Sequence, residues 1–141
     1  DRQRYDLYAL CVMPDHVHVL FQPRIKHTDP DGTAVFWSLK ELMHSIKSFT
    51  ATEINKLEQT SGAQVWENEY HDRLMRSDSD VEEKFLYICR NPWTAGIVRE
   101  DGEYAWVWTW SDRQDAGHGG LEARAPQISG AFAFRLYDEQ G

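Results

Sequence analysis

The chain has 141 residues, 41% of them hydrophobic, and a formal net charge of −8, which suits one globular domain with a continuous core. It contains no run of 18 apolar residues and no charged, apolar and small-residue order at its start. The expectation is therefore a cytoplasmic protein with neither membrane span nor secretory signal. Cys11 and Cys89 stand far apart among apolar neighbours, the pattern of reduced packing thiols rather than of a CxxC metal or redox motif.

In chain order, Tyr8 to Val12 reads as an apolar strand that ends at Met13-Pro14-Asp15, where proline removes a ladder donor and aspartate favours a turn. His16 to Phe21 resumes as a second strand, so the two form a tight hairpin. On a strand, side chains two apart share a face. His16 and His18 thus project together near the turn while Val17 and Val19 face the core. Two adjacent imidazoles make half of a metal site or, more plainly, a pair of core-bonded histidines. Residues 22–34, with two prolines and an Asp-Gly pair, read as a loop.

Ser38 followed by Glu41 is a capping-box pattern, and Leu39, Leu42, Met43, Ile46, Phe49 and Ile54 recur with helical spacing up to an end near Ser61-Gly62. The opposite face offers His44, Lys47 and Lys56, the first and last read as solvated. Residues 63–76 form a short strand or loop. Ser79 with Glu82 repeats the capping signature for a second helix, whose core stripe is Val81, Phe85 and Ile88 and which should stop at Asn91-Pro92. Tyr87 and Asn91 are four apart and share a face beside Lys84, about a quarter-turn from that stripe. On helix evidence alone Tyr87 is a boundary aromatic with its hydroxyl in water.

Four stretches together resemble a known family. MPDHVHVLF resembles the HUH motif (His, bulky hydrophobe, His) of single-tyrosine transposases. YICRNPWTAGIV is similar to the Y-I-x-x-N-P-x-x-A-G-[LI]-V block of the REP-associated tyrosine transposases. SLKELMHSIKSFT and VWENEYHDRLMRSDSD also resemble family segments, and the likeness runs from about Tyr8 to about Trp110. It implies an α/β (α+β) domain, a ferredoxin-like antiparallel sheet backed by helices, that cuts and rejoins single-stranded DNA beside a hairpin such as a REP-like element. Carried over residue by residue, it implies Tyr87 as nucleophile and His16, His18 and Asn91 as ligands of Mg²⁺ or Mn²⁺. DNA contacts are expected from Lys47, Lys84 and Arg90. Trp66, Tyr70 and Trp93 are candidates for stacking on bases, with packing favoured for Trp66. Asp72 reads as structural or as a partner to a site histidine, and Asp15 as orienting an imidazole or capping the turn.

The charge is inconvenient for a DNA-handling protein, but residues 1–60 carry seven Lys and Arg against eight Asp and Glu, whereas residues 101–141 carry three against seven. A basic track through Lys40, Lys47 and Lys56 is compatible with that split, while non-specific duplex binding should be weak. Members of the family have a strand and a helix before the HUH hairpin that DRQRYD does not supply, which would leave a neighbouring edge unpaired. The expected division is a transposase domain over 1–110 and a C-terminal extension without clear period over 111–141. The protein is expected as a monomer or homodimer. Two further readings stand beside the strand-transferring enzyme: a hairpin-binding protein whose catalysis has lapsed, and a metal-dependent phosphoesterase that uses water in place of Tyr87.

Overall fold

The computed structural model describes residues 3–110 together with the backbone of 132–138. Strands β1 (Tyr5–Val12) and β2 (His16–Pro23) form the expected hairpin, with Cys11 opposite His18 and Val12 opposite Val17. Met13 N–H donates to the His16 carbonyl at 2.8 Å and closes the turn over Pro14 and Asp15. Residues 22–34 are more ordered than a loop. Ile25–Thr28 (β3) and Ala34–Phe36 (β4) pair as a small hairpin of their own. Its turn uses Gly32 at φ 88°, a conformation glycine adopts without steric cost.

Helix α1 (Leu39–Leu57) starts on the predicted capping box, Ser38 accepting from Glu41 N–H and Glu41 accepting from Ser38 N–H. It ends at Glu58, earlier than Ser61-Gly62, because Gln59 already turns into the left-handed region at φ 56°. Leu42 and Met43 are buried as expected, but Phe49 is 68% exposed. The buried line passes through Ile46 to Thr50, whose hydroxyl accepts from the Trp66 indole at 2.8 Å, so Phe49 falls on its flank.

Strand β5 (Trp66–Leu74) precedes α2 (Asp78–Thr94). The N-cap of α2 is Ser77 rather than Ser79: the Ser77 hydroxyl accepts from Asp80 N–H at 3.1 Å and Ser79 lies inside the first turn. The helix also continues past Pro92. Proline there removes one donor near the helix end, and the Asn91 carbonyl still accepts from Ala95 N–H at 2.8 Å.

With β6 (Val107–Thr109) and β7 (Phe132–Asp138) the chain forms a five-stranded antiparallel sheet of order β5-β7-β2-β1-β6. The α/β class and the antiparallel sheet backed by helices are those expected. One expectation changes: β2 is paired on both sides, by β1 and β7, and β1 also pairs with β6. Part of the stretch read as an extension therefore lies within the sheet, while residues 111–131 and 139–141 are outside the described residues.

The register separates two apolar layers. Val19 and Phe21 face α1 and pack on Leu42 and Met43. Ala9, Cys11 and Leu20 face α2 and pack on Phe85, Ile88 and Cys89. A bulge between Leu7 and Ala9 brings Tyr8 as well as Ala9 to the α2 side. Among the described residues no helix is long and apolar enough to cross a membrane.

Candidate metal and nucleophile site

The α2 face of β2 is apolar at Leu20 and polar at His16 and His18, so the helix that seals the core also crosses the histidines. Phe85, Ile88 and Cys89 seat α2 on β1 and β2. The stripe Lys84, Tyr87 and Asn91, spaced three and four residues apart, then runs along the edge of that contact. The packing brings His16, His18, Tyr87 and Asn91 together.

His16, His18 and Asn91 are buried, at 9%, 6% and 7% exposure, whereas Tyr87 is 46% exposed. The two Nε2 atoms lie 3.1 Å apart, and the Asn91 amide nitrogen lies 2.8 Å from Nε2 of His18. The Tyr87 and His18 rings stand nearly perpendicular, at 86°, with centroids 5.5 Å apart. Asp15 bonds Nδ1 of His16 at 2.5 Å. An ionised carboxylate only accepts, so Nδ1 of His16 carries hydrogen and, in the neutral ring, Nε2 presents a lone pair toward His18. Of the two roles expected for Asp15, it takes the orienting one.

This donor set fits a divalent cation. Neighbouring ligands about 2.1 Å from an octahedral ion lie about 3 Å apart, close to the Nε2–Nε2 separation. The Asn91 amide, turned about its last bond, presents Oδ1 instead of Nδ2 to the same point. Among the described residues no group of three or more His, Cys, Asp and Glu side chains converges on a metal-sized site. Were a cation held between the imidazoles, this neutral amide at 2.8 Å from His18 is the side chain placed to be its third protein ligand. Nitrogen and amide ligands suit Mn²⁺ and are compatible with Mg²⁺.

Other candidates are placed differently. Lys84 lies beside the site, with Nζ 4.7 Å from the centre of the Tyr87 ring. Burial and then the nearby Arg73 cation hold its pKa below the usual lysine value. Arg90 is exposed on α2 three residues after Tyr87. Lys47 is on α1, across the sheet, and its ammonium donates to the carbonyls of Glu67, Asn68 and Glu69 at 2.6, 3.1 and 3.4 Å. Those carbonyls belong to the irregular start of β5, which α1 faces, so the structure does not bring Lys47 to the histidines. Trp66 and Tyr70 pack against the α1-side core, and the Trp93 indole donates to the Gly102 carbonyl at 3.0 Å. Asp72 is exposed on β5. Arg73 went unnoticed in the sequence. It lines a small cleft with Lys84 and Tyr87, and its only local signal is a position two after His71 on one strand.

Comparison with known proteins meets this geometry from outside. Residues 1–90 match the family profile described as transposase, IS200-like. The chain belongs to the IS200-like transposase family. That match spans the hairpin histidines and Tyr87 and ends one residue before Asn91, so the place of the amide in the site rests on geometry. A Haemophilus influenzae protein that carries the name REP-associated tyrosine transposase is 28% identical over 97 residues, covering 67% of this chain. The family resemblance seen in the motifs is thus borne out. This IS200-like chain spans about half of that relative, 53% of its length. No solved structure matches it.

Proposed function

We propose that the protein acts in DNA transposition by cutting and rejoining single-stranded DNA beside a hairpin, with Tyr87 as nucleophile. The observation that carries this reading is the half-exposed Tyr87 ring set perpendicular to His18, next to a buried imidazole pair and amide. A phenol open to solvent beside donors that fit a cation suits attack on a phosphodiester, whose negative oxygens otherwise repel a nucleophile.

In the step proposed, the Tyr87 oxygen bonds to phosphorus as the bond from phosphorus to the 3′-oxygen breaks. The phenol gives up its proton and the products are a 5′-phosphotyrosine and a free 3′-hydroxyl. Because the ester is kept, another 3′-hydroxyl reverses the step and joins new ends, a transesterification without nucleotide triphosphate. His16, His18 and Asn91 would hold Mg²⁺ or Mn²⁺, which when bound neutralises phosphate charge and polarises phosphorus. Asp15 orients the His16 ring for that purpose. Lys84, beside the Tyr87 ring, and the exposed Arg90 on the same helix would contact the strand. The protein would work in the cytoplasm, as a monomer or homodimer.

The test is a denaturing gel of labelled single-stranded hairpin DNA with the protein and Mn²⁺. A covalent adduct that vanishes in Tyr87→Phe is expected. A mobility shift on a native gel without adduct would instead indicate a binding protein, and cleavage that survives Tyr87→Phe a water-using phosphoesterase.

A further inference from the structure

One cleft beside the nucleophile is not accounted for by the histidines or the amide. Strand register places it on the same face of the sheet: His18 is opposite Arg135, which is opposite His71, so His71 shares the histidine face and Arg73, two residues on, shares it too. Helix α2 crosses this face, with Lys84 one turn before Tyr87. Together Arg73, Asp80, Glu83, Lys84 and Tyr87 enclose about 70 Å³, space for two or three waters or one phosphate group rather than a base.

Two cations, Arg73 and Lys84, and two carboxylates, Asp80 and Glu83, line this cleft. Asp80 lies 3.9 Å from the Arg73 guanidinium, at the limit of an ion pair, and its other oxygen accepts from Arg76 N–H at 3.1 Å. That carboxylate therefore anchors the arginine without occupying its fork, and the Arg73 side chain is 64% exposed. Lys84 is disfavoured as a cation first by loss of water and then by the Arg73 charge, with Glu83 giving partial compensation. An arginine fork and a lysine point charge meeting in a phosphate-sized space are matched to phosphate oxygens.

We propose that Arg73 and Lys84 bind the phosphodiester next to the scissile one and so set the register of the strand against Tyr87. This rests on the reading of Tyr87 as nucleophile. Along α2, Lys84 lies one turn before Tyr87 and Asn91, whose amide reaches His18, one turn after it, so Tyr87 stands between the two sites. A phosphate attacked beside the imidazoles is therefore not the phosphate held by Arg73. Both residues are positioning residues: they act on where the strand lies, and leave bond-making to the tyrosine.

The experiment combines single neutral methylphosphonate replacements along the labelled hairpin strand with Arg73→Ala and Lys84→Met, the latter keeping the apolar stem over the Tyr87 ring. In the parent protein, neutralising one phosphate adjacent to the cleavage site should raise the KM for adduct formation about tenfold with kcat little changed. Each variant should show a similar rise on unmodified DNA and no further rise on that modified strand, and Arg73→Lys should recover part of the loss. Losses that simply multiply at every position, or coupling that peaks at the scissile phosphate, would overturn the proposal while leaving the nucleophile reading intact. Absence of any Tyr87 adduct in the parent protein would overturn both.

Discussion

The Asn91 amide reaches Nε2 of His18 at 2.8 Å although 73 residues separate the two in the chain. A contact over that distance exists because α2 is docked by Phe85, Ile88 and Cys89, so the geometry of this pair depends on the core beneath it. Replacing Asn91 by Ala leaves the two imidazoles facing each other and should weaken Mn²⁺ binding by about tenfold or more. Asn91→Asp adds a negative oxygen at the same place and should strengthen it. Calorimetric titration with Mn²⁺ checks both, and equal affinities in all three proteins would remove Asn91 from the ligand set.

If the imidazoles serve the cation rather than the DNA, as proposed, His16→Ala and His18→Ala should abolish cleavage and preserve much of the hairpin affinity. Asp15→Asn should be intermediate, lowering Mn²⁺ affinity about 10–100-fold through the orientation of His16. Cleavage rates and gel-shift affinities measured on the same preparations separate the two effects. A variant lacking either histidine that cuts at the parent rate sinks the metal assignment.

Local periodicity made one half of the site legible and tertiary packing decided the other. His16 and His18 two apart on a strand, and Tyr87 and Asn91 four apart on a helix, are directions set by backbone geometry alone. Whether those directions meet depends on how α2 lies on the sheet, which the family resemblance implied and spacing could not. The start of α2 was ambiguous because Ser77 and Ser79 each have an acidic residue three positions on, and only the N-cap bond from Asp80 N–H selects Ser77. Arg73 was invisible for a different reason: its nearness to Lys84 depends on how α2 folds back beside β5, where Asp80 meets the guanidinium. Lys47 looked like a free cation because the three carbonyls that absorb it are backbone atoms, on which composition is silent.

Lys47 accordingly separates packing from DNA contact. Its burial and three carbonyl partners tie α1 to the start of β5, so Lys47→Met should lower stability by roughly 1–2 kcal/mol and leave hairpin affinity nearly unchanged. Urea unfolding and a gel-shift titration give the two numbers. A loss of DNA affinity with no change in the unfolding midpoint would place Lys47 at the nucleic acid after all.

The first turn of α1 carries a pH-sensitive contribution. Glu41 is held at a pKa of about 2 by its bonds to Lys26 and then to Ser38, against about 4.3 in an unfolded chain. A carboxyl whose folded value is depressed adds stability above its unfolded pKa, and that contribution fades as pH falls toward 2. Glu41→Gln should therefore unfold more easily than the parent at neutral pH, with the two curves converging between pH 4 and 2. Ser38→Ala removes the other half of the box and should cost about 1 kcal/mol. Thermal melts across that pH range test both, and parallel curves for Glu41→Gln and parent would refute the assignment.

The two-sided pairing of β2 makes the strand that carries the histidines dependent on the far end of the chain. Residues 132–138 supply β2 with ladder partners from His16 to Phe21 and join it to β5. Without them two strand edges would expose their donors and acceptors in the middle of the sheet, inviting self-association. A chain ended after Trp110 should lose its sharp unfolding transition and sediment as aggregates, and Mn²⁺ binding should fall with it because β2 no longer holds His16 and His18 in register. A mid-strand proline offers a milder version. Ala133 pairs with Leu20 in the register, and Ala133→Pro removes a ladder donor in the middle of the sheet, which should lower the melting temperature. If both variants melt like the parent, the sheet closes without β7 and the histidines owe their placement to β1 and α2 alone.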